Sequence, residues 1–450
     1  MSDKGKDKTK MMGEASVPLL LLRFFGVTFA GLLFSAVYNL TDALFVSWGV
    51  GDSAMGSIST VFPFVIFQGA FTTALGGGAA SIVSRLLGKG DVEKAGEVTA
   101  NAMIIFYITS ALVTVFGFVF IDPLLSLMGV TDELYPMAKE YFSIILAGNV
   151  FSTGFSSIIR AEGRMGYSLL IWVLPISVNI VLDAVFILAL DWGVKGSALA
   201  TVISQFLSAA MSVLFFTSFT CQKFNKIKLK LKIISEIFAV GVPSLIQTGS
   251  LSIITIILNR VLRDVGSTAG VTTFAYISKI ITFVCLPSSA IALALAPVVG
   301  YNYGAGNSRR VIKAVKISLF AGIVYGVAAM LFMELKPEVL MRAFTESQSF
   351  ITSGSEGLRI LALSFLFVPV PAVSGAVYQA IGNKIWALAL YSAPMVLLVP
   401  SVLLLPDGAG VESVWIAYVA ANAAACLLAV LKLLDSYKKS KIKVKNKASK

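Results

Sequence analysis

Apolar runs of twenty or more residues, separated by short polar connectors, follow one another along almost the whole 450-residue chain. A helix needs about 20 apolar residues to cross the hydrocarbon core of a bilayer, at about 1.5 Å of rise per residue. On that ruler the pattern predicts an all-α integral membrane protein of about twelve transmembrane helices, at 17–47, 54–85, 94–120, 135–159, 166–190, 196–219, 236–262, 268–300, 312–334, 354–381, 385–405 and 412–433. The first run, from about Pro18 to Trp48, is too long for the roughly 7–15 apolar residues of a secretory signal.

Composition agrees with lipid as the main solvent. The chain is 57% hydrophobic and 13% charged, with a mean hydropathy of +0.86, values that no soluble core produces. The net charge of +12 does not point to nucleic acid, because the basic residues sit in the tails and connectors and form no face with interleaved aromatics. Connectors near Arg85–Lys94, Arg160–Arg164, Lys223–Lys232, Arg309–Lys316 and Lys384, with the two tails, hold about 27 of the 36 Lys and Arg residues. Basic connectors stay on the cytoplasmic side, so both termini are expected there, in a multi-pass protein of the cell membrane. Cys221, Cys285 and Cys426 have no neighbours at metal or redox spacing, so neither disulfide nor zinc is expected. No phosphate-binding loop accompanies Gly5-Lys6 or Gly88-Lys89, and nothing suggests an enzyme.

The chain repeats itself. Gly88-Lys89-Gly90-Asp91 after span two recurs as Gly304-Ala305-Gly306-Asn307 after span eight, 216 residues later. Arg160-Ala161-Glu162-Gly163 after span four recurs as Gln379-Ala380-Ile381-Gly382, 219 later, and Val17-Pro18 recurs as Val242-Pro243, 225 later. Three matches in one order imply a duplicated six-helix unit: a tail at 1–16, a first lobe at 17–219, a basic linker at 220–235, a second lobe at 236–433 and a basic tail at 434–450. An even number of spans per copy inserts both in the same orientation, related by an axis along the membrane normal. Prolines at 63, 175, 243, 287, 297, 369 and 371 and the triplet Gly76-Gly77-Gly78 are expected to interrupt or bend spans.

Charges inside spans are costly, about 2.5–3.5 kcal/mol each on insertion scales, and point to function. Asp42 in span one and Asp183 in span five lie at matching depths in the outer half of the membrane. Tyr38 and Asn39 precede Asp42, and Asn179 precedes Asp183, by three or four residues, which places them on the same helix faces. Span six brings Thr201 to similar depth. Converging carboxylate, amide and hydroxyl oxygens suit a hard cation such as Na⁺ or a proton, since two acids in low dielectric cannot both stay ionised. With histidine absent, a proton would ride on a carboxylate. Gln68, Tyr141, Gln247, Asn259 and Lys279 are further candidates for the substrate path.

These residues carry a family resemblance over nearly the whole chain. Tyr38-Asn39-x-x-Asp42, Arg160-Ala161-Glu162-Gly163, Asn179-x-x-x-Asp183, the run Gly300-Tyr301-Asn302-Tyr303-Gly304-Ala305-Gly306-Asn307 and Gln379-Ala380-x-Gly382-Asn383 make it similar to the multidrug and toxic compound extrusion (MATE) transporters, and more to their DinF-like than their NorM-like branch. The resemblance implies two pseudo-symmetric six-helix lobes in a V shape, alternating access, and export of small amphipathic, often cationic organic compounds in exchange for H⁺ or Na⁺; a monomer is expected. It also implies that Asp42, Asn179, Asp183 and Thr201 form the cation-coupling site, with no other cofactor. NorM-like members carry acids in spans seven and ten; here the middle of span seven offers Gln247, Thr248, Ser250 and Asn259, and the middle of span ten has no acid. The alternative expectation is a flippase or exporter of a lipid-linked or anionic metabolite with the same two-lobe architecture, which would favour a basic cavity. A receptor or channel fits the duplicated halves poorly.

Overall fold

A computed structural model describes residues 3–152, 154–224, 228–406 and 410–448. The centre of the expected linker, 225–227, and the extreme residues of both tails lie outside the described residues. Eleven described helices are long and apolar enough to cross a membrane: Val17–Gly49, Ser53–Gly88, Val92–Val119, Tyr135–Ala161, Met165–Ala189, Gly193–Ser218, Leu231–Val265, Ala269–Gly304, Ser308–Leu335, Lys384–Leu403 and Val411–Lys439. The pair Gln348–Leu366 and Pro369–Ala380, bent by 42°, makes the twelfth. The twelve-span, all-helical fold is therefore as the apolar pattern predicts, with ends shifted by a few residues.

The repeated motifs build one recurring turn. Gly90, Gly163, Gly306 and Gly382 all adopt φ between 74° and 82°, the left-handed region that glycine enters without a Cβ penalty. At each, two backbone bonds close the preceding helix: Gly90 and Asp91 N–H donate to Leu87 and Leu86, Gly163 and Arg164 to Arg160 and Ile159, Gly306 and Asn307 to Tyr303 and Asn302, and Gly382 and Asn383 to Gln379 and Tyr378. The next residue in three of them then caps the following helix, Asp91 accepting from Lys94 N–H, Asn307 from Arg310 N–H and Asn383 from Trp386 N–H. Gly-x-Gly-Asx is thus a stop and a start in four residues, which is why it could be read as punctuation.

The chain divides into two compact units: Met1–Ala15 with Gly26–Gly241, and Ser16–Phe25 with Val242–Lys450. The first unit extends past the expected end of the lobe at 219 because the linker and the start of span seven are tied down. Asn101, fully buried, accepts from Lys230 N–H at 2.8 Å and donates to the Lys228 carbonyl at 3.1 Å. Lys223 N–H donates to the Val92 carbonyl, and Lys230 pairs with Glu97. Asn101→Ala strands the Lys230 N–H and should lower stability by about 1–3 kcal/mol, read as a lower melting temperature of the purified protein.

Thr220 Oγ1, Cys221 N–H and Gln222 Nε2 all donate to the carboxylate of Glu162, and Thr9 Oγ1 donates to its carbonyl. Glu162 is completely buried in the short turn between spans four and five. Burial pushes its carboxyl above the usual range, against the opposing pull of the three donors. An acid raised in the folded state contributes stability below its ordinary pKa of 4.5 and loses it as pH rises above that value. Stability should therefore fall with rising pH across the carboxylate range, and Glu162→Gln should flatten that slope in thermal melts collected from pH 4 to 8.

Contrary to the expectation from sequence, the glycine triplet does not interrupt its helix; Ser53–Gly88 runs through it. A Cβ on Gly76 would lie 2.7 Å from the Gly154 carbonyl oxygen, and one on Gly78 would fall on the carbonyl oxygen of Ile237. The triplet is a contact surface against spans four and seven. Pro63, Pro175, Pro243, Pro287 and Pro297 likewise sit inside continuous helices, and the marked bend is at Pro369 and Pro371.

Within the second unit, spans seven and eight form a tight hairpin: a Cβ on Gly270 would lie 3.1 Å from the Leu262 carbonyl oxygen. Its core gathers Leu258, Leu262, Ile277, Met333, Leu358, Phe365 and Trp415, with Phe274 stacked on Trp415 at 5.9 Å.

Candidate functional site

Span five is helical through Asp183 and then widens into a π-type segment, Ala184–Ala189, in which Leu190 N–H bonds to the Val185 carbonyl. Such segments insert an extra residue per turn and recur at functional sites. Asp183 is the last residue before the widening and is fully buried; Asn179, one turn earlier, is 1% exposed. Neither Asp183 carboxylate oxygen, nor Asn179 Oδ1 or Nδ2, has a hydrogen-bond partner. Four orphaned polar atoms this deep are costly unless a guest satisfies them.

The guest's other partners come from spans one, four and six. The Asp42 and Asp183 carboxyl groups lie close enough to act on each other electrostatically. Ser197 Oγ donates to Asp42 Oδ1 at 3.4 Å. Tyr38 and Thr201 line one cavity, and Tyr38 and buried Tyr141 lie in the field of the two acids. The donor set is all oxygen: two carboxyls, an amide and hydroxyls. Two neighbouring carboxylates in low dielectric repel each other, and a proton or a hard monovalent cation would relieve that repulsion. These residues fit a hard monovalent cation by ligand type.

A cavity of about 300 Å³ lies about one helical turn before the acids along spans one and five, lined by Leu32, Ser35, Tyr38, Ile171, Trp172, Pro175, Ile176, Asn179, Thr201, Ser204, Gln205 and Ser208. Tyr38, Asn179 and Thr201 belong both to the cation cluster and to this wall. Half of the lining residues are apolar or aromatic and half are uncharged polar, with no charged side chain, a form suited to an amphipathic organic guest.

The structure thus brings together Asp42, Asn179, Asp183, Thr201, Tyr38 and Tyr141. Asn39 takes another course: it is exposed, and its amide donates back to the Ser35 carbonyl at 2.7 Å. Gln68 is half-buried on span two, outside the cavity lining. Gln247, Asn259 and Lys279 belong to the second unit, where Gln247 and Lys279 are exposed and Asn259 is half-buried. Sequence reasoning missed Ser197, Ser204, Gln205 and Ser208. They fall with Thr201 at helical spacing, a polar stripe along an otherwise apolar span, and that stripe is a signal the sequence does contain.

The MatE family model matches residues 28–185 and 243–404, one stretch in each half. The chain is 24% identical over 383 residues, 83% of its length and 82% of the relative's, to the multidrug export protein MepA of Staphylococcus aureus strain MRSA252. Among solved structures it resembles the MATE multidrug transporter DinF-BH, determined in complex with a ligand, at 30% identity and a TM-score of 0.87 over 94% of this chain and 96% of the other. It also resembles a MOP superfamily transporter from Pyrococcus furiosus Vc1 (DSM3638), described as having a binding pocket of reverse polarity that suggests a different function, at 26% identity and a TM-score of 0.88 over 96% and 97%.

Proposed function

From the MatE family of membrane transporters, to which this chain belongs, we propose a secondary antiporter that exports amphipathic, cationic organic compounds by alternating access in exchange for H⁺ or Na⁺. The observation that carries the reading is the shared wall. Tyr38, Asn179 and Thr201 face the organic cavity while touching or flanking the Asp42–Asp183 pair. A cation taken up between the acids changes the charge and the hydrogen bonding of the surface on which a cationic guest must rest. The two cations therefore compete, and that competition is exchange. Multidrug export by MepA and the description of DinF-BH as a multidrug transporter support this cargo class.

The protein would act as a monomer in the plasma membrane with both termini cytoplasmic, a placement supported by the Lys and Arg bias of the connectors. Efflux of a cationic dye from proteoliposomes under separately imposed pH and Na⁺ gradients tests the reading and selects the ion. Transport under one gradient is the expected result; dye retention under both, with movement of an anionic lipid-linked cargo instead, would favour the flippase alternative. The cavity wall lacks a basic residue, which speaks against that cargo.

A further inference from the structure

Arg160 lies in the last turn of span four, in one of the repeated motifs, and the transport reading leaves it unused. Arg85, at the inner end of span two, has Glu236 at 3.8 Å. Arg160 forms no ion pair among the described residues. Its Nη2 donates to Ser157 Oγ at 2.9 Å, its Nη1 to Ser168 Oγ at 3.3 Å, and its guanidinium stacks 5.2 Å from the ring of Trp172. The adjacent acid, Glu162, gives its oxygens to Thr220, Cys221 and Gln222. The guanidinium, on a half-buried residue, rests on neutral partners alone.

An independent observation lies beside it. Thr28 on span one is 4% exposed, and its hydroxyl has no hydrogen-bond partner. Thr28 and Arg160 line one small cavity of about 10 Å³ together with Val27, Met165, Ser168, Leu169 and Trp172. That space takes at most one monatomic ion or water molecule; phosphate or a carboxylate-bearing molecule is too large. The polar groups around it are a guanidinium and the hydroxyls of Thr28 and Ser168, with no carboxylate.

We propose that the pocket between Thr28 and Arg160 is a resident site for one small monovalent anion of the halide type. The anion accepts from the Thr28 hydroxyl and the guanidinium, neutralises the latter and fixes Trp172. Trp172 also lines the 300 Å³ cavity, so the anion would set the floor on which an organic guest rests. This site is separate from the acid pair, and its failure would leave the exchange reading untouched.

The test uses bromide and the purified full-length protein. Crystals grown in bromide should show an anomalous peak in this pocket. Melting temperature should rise with bromide when gluconate is the replacement ion at constant ionic strength. Thr28→Val, nearly isosteric, should raise the half-saturating bromide concentration about tenfold, as expected for losing one hydrogen bond to a charged group, and Arg160→Gln should remove the response. A pocket holding water with no anomalous signal, or a Thr28→Val protein with the wild-type bromide response, would overturn the proposal.

Discussion

Replacing Asp183 by Asn should reduce gradient-driven efflux at least about 100-fold while leaving the protein folded in the membrane. The side chain keeps its shape and one oxygen but can no longer carry the charge that holds a cation. Removing one partner of a buried charge pairing costs about 3–5 kcal/mol, and each 1.4 kcal/mol is a factor of ten. Folding should not suffer, because the wild-type site holds two neighbouring acids and four unsatisfied polar atoms, so losing one negative charge relieves repulsion. The readout is dye efflux normalised to reconstituted protein, alongside a melting temperature no lower than wild type. Undiminished transport by this variant would reject the mechanism.

The second large effect concerns the fold. A Cβ on Gly78 falls on the carbonyl oxygen of Ile237, and one on Gly241 falls on that of Ala74. Spans two and seven therefore meet backbone to backbone, and no rotamer change can make room. Gly78→Val should force the two helices apart at buried Ile237, Val240 and Gly241, an effect above about 4 kcal/mol and in the class of severe overpacking. Little monodisperse protein should be recovered on size exclusion. Gly69→Val is the matched control: it lies on the same helix, and its added Cβ meets nothing within 4 Å, so wild-type yield is expected.

The fold was legible because lipid imposes a simple rule: every span must be apolar and about 20 residues long. The repeat was legible because each copy of Gly-x-Gly-Asx carries out one geometric task, a left-handed stop followed by a cap. The acid pair was legible because buried charge is rare, and depth can be counted along a helix. What escaped was set by packing between helices. Asn39 and Tyr38 both share a helical face with Asp42 by spacing alone, yet Tyr38 lines the cavity and Asn39 bonds to its own backbone. Gly76–Gly78 reads equally as a hinge or as a close-approach surface until the neighbour is known. The first unit's extension to Gly241 depends on Asn101 clamping a segment 127 residues away, which no local pattern announces. The π-type widening after Asp183 leaves no trace in Ala184–Ala189, a plain apolar run.

The central claim is that carboxyls from spans one and five hold one cation, which the organic guest expels. Counting the protons or sodium ions released when a cationic dye binds to purified protein tests this directly. The account predicts one cation released per dye bound by the wild type, and none by either Asp42→Asn or Asp183→Asn. Cation release persisting in either variant would contradict it.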